Sequence, residues 1–244
     1  MKPCIIIPVY NHENAIASVL AKLKKLDIPT ILVNDGSSAS CSQILADCAE
    51  REAAWLTLIK RPENGGKGAA MLDGFKAATA LGFSHALQID ADGQHEINDI
   101  PAFLEAGAQQ PTALILGRPL FDNTAPKSRL YGRMISNFWV WINTLSFDIS
   151  DSLCGFRLYP LAAVATLTRD TNIAKRMDFD IDILVRLYWQ GVTVVNIPTC
   201  VHYPTDGVSH FKVWRDNLMI SKTHAKLFFG MLLRIPQRLV RHRS

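Results

Sequence analysis

The run Cys4-Ile5-Ile6-Ile7-Pro8-Val9 is apolar without any polar alternation. A strand with one wet face alternates, whereas a strand covered on both faces does not. The run therefore predicts a sheet with a layer on each side. The next hundred residues supply those layers. Ile16, Val19, Leu20, Leu23 and Leu26 recur at helical spacing, and Thr30 to Val33 forms a second short apolar run. A helix is expected over roughly Ser42 to Glu52, a third strand at Leu56 to Ile59, and a helix from Gly65-Gly66-Lys67-Gly68 to about Leu81. Further strands are expected at His85 to Ile89 and Ala113 to Gly117, with a short helix around Phe103 between them. Strand-helix alternation of this kind implies a mostly parallel sheet flanked by helices, an α/β architecture.

In such sheets ligands bind beyond the carboxyl ends of the strands. Polar segments follow three of the apolar runs: Tyr10-Asn11-His12-Glu13, Asn34-Asp35-Gly36-Ser37 and Asp90-Ala91-Asp92. All three are expected to line one crevice. Two carboxylates one residue apart at the mouth of a buried strand repel each other and lose hydration, which raises both pKa values unless a cation intervenes. A hard divalent ion meets that need with oxygen ligands and also takes oxygens from a diphosphate. The crevice is therefore expected to hold a metal-bound nucleoside diphosphate, with Asp35 placed to accept from a base or ribose.

Other sites fit less well. The first strand-helix turn has no glycine, so the dinucleotide fingerprint Gly-x-Gly-x-x-Gly is missing. Gly65-Gly66-Lys67-Gly68 lacks P-loop spacing, although amides at a helix start beside Lys67 suit a phosphate. No Gly-x-Ser-x-Gly elbow occurs, and His95, His202 and His210 make no zinc pattern.

The second half is less regular. Arg129 to Thr144 is expected to be an aromatic-rich helix, Asp151 to Arg157 a turn into a strand, Asp180 to Tyr188 a helix and Val192 to Ile197 a strand. Lys212 onward is expected to be a long helix. With 48% hydrophobic and 20% charged residues, 244 residues suffice for one large domain. The five cysteines, Cys4, Cys41, Cys48, Cys154 and Cys200, show no pairing pattern and are expected to be free, buried thiols in a reducing cytoplasm. Met1-Lys2-Pro3 carries no signal-peptide pattern.

The motifs together resemble the family 2 glycosyltransferases with a Rossmann-like glycosyltransferase A fold. The similarity is greatest to the branch of dolichyl-phosphate mannose synthase and polyprenyl-phosphate sugar transferases. The resemblance rests on Ile7 to Glu13, Val33 to Ser38, Asn64 to Gly68, Asp90 to His95, Gly117-Arg118, Asp151 to Arg157, Phe179 to Asp182 and the Gly207 to His210 turn. It implies inverting sugar transfer from a UDP- or GDP-sugar with Mg²⁺ or Mn²⁺. By that pattern Pro8, Tyr10, Glu13 and Asp35 hold the nucleoside. Asp90, Asp92 and Gln94 hold the metal and diphosphate, and Lys67 and Arg118 lie near the phosphates or sugar. Asp151, Asp180 and Asp182 are the candidates for a general base, with Asp151 and Asp182 matching the family's acidic positions best. Three positions depart from it. Asn34 replaces an aspartate, Pro204 replaces a basic residue, and His210 stands where a lysine belongs, as a candidate metal or diphosphate ligand.

Charge is unevenly placed. Residues 212–244 carry a net +7 and residues 1–211 a net −3. The expected organisation is a catalytic domain over 1–211, with a nucleotide-sugar half (1–117) and an acceptor half (118–211). A basic amphipathic C-terminal helix over 212–244 completes it. Such a helix, with Trp214, Leu218, Leu227 and Phe228 among its cations, suits an anionic membrane surface. Confinement of the excess charge to one arm argues against nucleic acid. The expectation is a protein on the inner face of the cytoplasmic membrane acting on a lipid-linked or glycolipid acceptor. A sugar-nucleotide pyrophosphorylase is a weaker alternative, since Pro8 to Asn14 lacks the glycine- and arginine-rich first loop. A non-catalytic sugar-nucleotide-binding protein is another, and the intact Asp90/Asp92 pair argues against it.

Overall fold

A computed structural model of the chain describes residues 1–121, 127–201 and 212–241. Seven strands form one sheet: β1 (Pro3–Val9), β2 (Thr30–Asn34), β3 (Leu56–Lys60), β4 (His85–Gln88), β5 (Leu114–Phe121), β6 (Arg157–Pro160) and β7 (Val194–Val201). Their order is β3-β2-β1-β4-β6-β5-β7. The β1, β2, β3 and β4 pairings are parallel, as is β5 with β7. β6 alone runs against its neighbours, pairing antiparallel with both β4 and β5. The expected mostly parallel sheet is present, with this one reversal inserted at its centre.

The helices are α1 (Glu13–Leu23), α2 (Ala39–Arg51), α3 (Lys67–Ala80), α4 (Ile100–Gln109), α5 (Lys127–Thr144), α6 (Leu161–Asp170), α7 (Phe179–Trp189) and α8 (Val213–Arg241). They divide between the faces as β1 alternates. Ile5, Ile7 and Val9 join a core with Ile16 and Leu20 of α1, Leu45 of α2 and Phe103 of α4. Cys4 and Ile6 join the opposite core with Met71 and Phe75 of α3, Leu167 of α6 and Leu184 of α7. Both faces of the strand are dry, which explains its unbroken apolar composition. α8 packs on this second core, with Leu227 fully buried and Met231 nearly so.

Two expectations need correction. α6 was not anticipated: Leu161, Val164 and Leu167 face the core from a helix that starts directly after β6. Cys200 is exposed on β7 while the other four cysteines are free and buried as expected. An edge strand wets one side, so an apolar neighbourhood in sequence did not guarantee burial. No helix among the described residues is long and apolar enough to cross a membrane.

Candidate active site

The loops after β1 and β2 are tied together at the carboxyl edge of the sheet. The Asn11 amide donates to Ser37 Oγ (3.1 Å), and Asn11 Oδ1 accepts from the Ser38 amide (2.8 Å). Asn34, where the family pattern has an acid, folds the same turn. Its Oδ1 accepts from the Ser37 amide at 3.0 Å and its Nδ2 donates to Ser42 Oγ at 2.9 Å. An amide side chain both donates and accepts, which a carboxylate cannot do.

Asp35, expected to face a nucleoside, braces a neighbouring turn. It is 2% exposed, and its carboxylate serves the Asn64–Gly66 turn. Oδ1 accepts from the Gly65 amide (2.9 Å), and Oδ2 accepts from the Gly66 amide (2.8 Å) and Asn64 Nδ2 (3.0 Å). Burial raises its pKa even against these amides and the nearby Arg61. Gly66 has φ +97, a conformation open to glycine, and an added Cβ would meet Lys175 O at 2.6 Å. The turn delivers Lys67 as the first residue of α3.

The Lys67 ammonium stands between two acids. Its Nζ lies 2.9 Å from Asp90 Oδ1 and 2.8 Å from Asp180 Oδ2. The Lys67 side chain is 17% exposed, Asp90's 28% and Asp180's 8%. Burial pushes the Lys67 pKa down, but the two carboxylates outweigh it and hold the ammonium well above its ordinary value. Burial likewise pushes Asp90 up, and Lys67 and His95 together reverse this, holding it far below the usual carboxylate range. His95 Nε2 lies 3.4 Å from Asp90 Oδ2, and its ring stacks on Phe156.

A second layer fixes Asp180. Gln88 Nε2 donates to Asp180 Oδ1 (3.2 Å), and Gln88 Oε1 accepts from the Tyr159 hydroxyl (3.2 Å). The fully buried Arg157 donates to three carbonyls: Cys154 O (2.7 Å), Ser152 O (2.8 Å) and Asp180 O (2.6 Å). It thereby pins the 152–156 turn to the start of α7. Gly155 in that turn faces the ion cluster. A Cβ there would lie 2.6 Å from Asp90 Oδ2 and 2.9 Å from Lys67 Nζ. Burial, helped by the Asp151 charge, pushes the neighbouring Cys154 thiol up to about 12, so it is no nucleophile at neutral pH.

The other expected residues sit on several elements. Asp92 is partly exposed beside the cluster, with Oδ1 accepting from the Gln94 amide (3.0 Å). Pro8 ends within β1, Tyr10 follows it partly buried, and one Glu13 carboxylate oxygen is buried without a hydrogen-bond partner. Arg118 is exposed on β5. Asp151 is 3% exposed, and its Oδ1 accepts from Arg133 and from the Leu153 and Cys154 amides. It shapes the turn behind the cluster. Asp182 is 1% exposed with both oxygens engaged, by the Ala174 amide (2.8 Å) and Arg186 Nε (2.6 Å). On α7 it is Asp180, not the expected Asp182, that reaches Lys67. Residues two apart on a helix point about 200° apart, so one face cannot present both. His210, with Pro204 and the Gly207–His210 turn, lies outside the described residues.

An ammonium bridging two acids beside a further, partly exposed carboxylate leaves the carboxyl edge of the sheet net negative, a setting suited to a hard cation and, through it, to phosphate oxygens. A model of the family described as "Glycosyl transferase family 2" matches residues 4–164. The chain belongs to that family. It is a glycosyltransferase, with the strand order above as its glycosyltransferase A scaffold. Among similar proteins, an undecaprenyl-phosphate mannosyltransferase of Micrococcus luteus is 24% identical over 207 residues, covering 81% of this chain and 82% of that one. The UDP-N-acetylglucosamine–dolichyl-phosphate N-acetylglucosaminyltransferase of Methanococcus voltae is 24% identical over 244 residues, covering 94% of each chain. Glucosyl-3-phosphoglycerate synthase from Mycobacterium tuberculosis, solved with Mn²⁺, UDP and phosphoglyceric acid, superposes with a TM-score of 0.67. Identity there is 14%, over 94% of this chain and 78% of that one.

Proposed function

We propose that this glycosyltransferase moves a sugar, with inversion, from a UDP- or GDP-sugar to a lipid-linked acceptor at an anionic membrane surface. The observation that carries the proposal is the Lys67–Asp90–Asp180 cluster with Asp92 beside it. Its place at the strand ends is where a nucleotide diphosphate lies in open α/β sheets. Pro8, Tyr10 and Glu13 line the nucleoside side. The orphaned Glu13 oxygen offers a buried acceptor to a base or ribose. Asp35 contributes indirectly, by holding the turn that aims Lys67.

The donor set fits Mg²⁺ or Mn²⁺. Asp90 and Asp92 offer hard oxygen ligands one residue apart. Mg²⁺ held by one or two carboxylates keeps coordination positions for a substrate's phosphate oxygens. When bound, the ion would stabilise the negative charge of the leaving diphosphate. Lys67 balances Asp90 and remains as a fixed cation near the phosphates. Gln94 holds the Asp92 turn through its backbone.

The attacking oxygen forms its bond to the anomeric carbon as the bond to the diphosphate oxygen breaks. A lipid phosphate acceptor is already anionic and needs no strong base. The named activities of the Micrococcus luteus and Methanococcus voltae relatives, both on polyprenyl phosphates, support this acceptor class. The net +7 over residues 212–244 supports the membrane surface.

The test is a thermal-shift panel of UDP- and GDP-sugars with and without Mn²⁺, paired with turnover in a membrane extract. At least one donor stabilises the protein only with metal, and Asp92→Ala abolishes both that shift and turnover while the fold remains. No metal-dependent shift with any donor overturns the proposal. Binding without turnover leaves a sugar-nucleotide-binding protein in its place.

A further inference from the structure

On one face of the molecule large apolar side chains stand in water. α5 exposes Tyr131, Met134, Ile135 and Phe138 at 55–65%, spaced as one helical stripe. α8 exposes Trp214 at 91%, with Leu218, Phe229 and Leu232; at 3.6 residues per turn these four fall in a sector of roughly 60°. The two stripes join through a chain of ring contacts. Phe138 meets Trp139 at 6.3 Å, Trp139 meets Phe228 at 6.2 Å, and Phe228 meets Phe229 at 5.8 Å. Isolated exposed hydrophobics are ordinary, whereas a contiguous patch marks an interaction surface.

Charge selects the partner. α5 contains no acid, and the one acid of α8, Asp216, is 6% exposed. Arg215, Lys222 and Lys226 are exposed along α8. A second copy of the chain would set cations against cations. An anionic bilayer instead offers an apolar interior below a negative headgroup layer.

The buried side of α5 holds the wall of the active site. Arg133 donates to Asp151, and Asn137 Oδ1 accepts from the Ser152 amide and hydroxyl (both 2.8 Å). Asn137 Nδ2 donates to Ser150 O (3.3 Å), and Trp141 Nε1 donates to Ile149 O (2.8 Å). Gly155, at the end of the same turn, abuts Asp90 and Lys67.

We propose that α5 is a lipid-facing helix. Its stripe enters an anionic bilayer beside the basic side of α8, and Arg133 and Asn137 transmit that seating to the 150–155 turn. Membrane contact then fixes the wall against which the Lys67–Asp90 pair is held. This inference rests on the membrane surface proposed above and adds to it the helix that makes contact and the segment that responds.

The test uses the full chain with vesicles of phosphatidylcholine alone or with phosphatidylglycerol, read by co-sedimentation and amide hydrogen exchange. The wild type binds the phosphatidylglycerol vesicles, and exchange slows over 131–139 and over 150–156. Ile135→Asp with Phe138→Asp, both at exposed positions, keeps its melting temperature and loses vesicle affinity by about tenfold or more. Asn137→Ala still binds and still slows over 131–139, but exchange over 150–156 no longer responds. Undiminished binding by the double variant overturns the assignment of α5. Unchanged exchange over 150–156 in the bound wild type overturns the coupling. A wild type indifferent to anionic vesicles removes the membrane surface and this inference together. A stripe that instead mediates dimerisation, lost in the double variant without vesicle binding, also overturns it.

Discussion

At the Lys67 cluster, three charged side chains lie largely out of water; on the α5–α8 face, eight large apolar ones lie in it. Both arrangements cost free energy in the isolated molecule, and each is stabilised differently. The cluster is internally compensated, because Lys67 pairs with Asp90 and Asp180 while Gln88 and Arg157 hold Asp180 from behind. The apolar face has no such compensation among the described residues. Under the proposals above, the buried charge marks where the chemistry occurs and the exposed apolar surface where it is delivered.

The comparison breaks most sharply at Lys67. Lys67→Met leaves Asp90 and Asp180 facing each other without their cation. Removal of one partner from a buried pair costs about 3–5 kcal/mol, to be read from denaturant unfolding. A loss under about 1 kcal/mol would mean that the cluster behaves as a solvated surface pair.

The seam between α5 and α8 is the next point of strain. His224 is 5% exposed beside Asn143 and Trp139, and its Nε2 has no hydrogen-bond partner. Burial pushes its pKa down from 6.5 to about 4. The unfolded chain therefore takes up a proton that the folded chain refuses. The stability this group supports is full above pH 6.5 and is lost as pH falls towards 4, by about 3 kcal/mol in all. Unfolding free energies measured across that range for the wild type and His224→Gln check this. The variant's profile is the flatter one, and identical profiles exclude the assignment.

The smallest effect is expected where the 152–156 turn meets the cluster. In Gly155→Ala the new Cβ collides with the ends of two flexible side chains, not with backbone. The fold survives, the Lys67–Asp90 contact opens, and turnover falls about tenfold, equivalent to about 1.4 kcal/mol of transition-state stabilisation. Steady-state kinetics with a melting curve distinguish this from general destabilisation. Unaltered turnover would show that the Lys67–Asp90 geometry does not matter to the reaction.

Much of the frame is legible along the chain. The unbroken apolar runs of β1 and β2 report burial on both faces, and the polar segments behind them report one crevice. The reversal of β6 is not legible, because Arg157–Pro160 has the same apolar character in either direction; its neighbours β4 and β5 set its sense. Asp90 stands out in its tripeptide at a strand end, and the structure pairs it with Lys67. Asp180 and Asp182 were not separable by motif, although helical geometry already allowed only one of them to face the site. Gln88, a lone polar residue at the end of an apolar strand, was the available signal for the layer behind Asp180. Arg157 carried none, since nothing in its sequence neighbourhood shows that its guanidinium will meet three carbonyls.

The sequence alone determined the layers, the edge of the sheet that bears the site and the family to which the chain belongs. These follow from periodicity and short motifs, in which the informative residues are near neighbours. Tertiary structure decided which carboxylates work together. Lys67 meets Asp90 across 23 positions and Asp180 across 113, while Asp35 and Asp182 turn inward to backbone amides and an arginine. An ion pair of this kind forms only after helix phase and strand order have brought its members within about 3 Å, and neither is written in the residues that carry the charge.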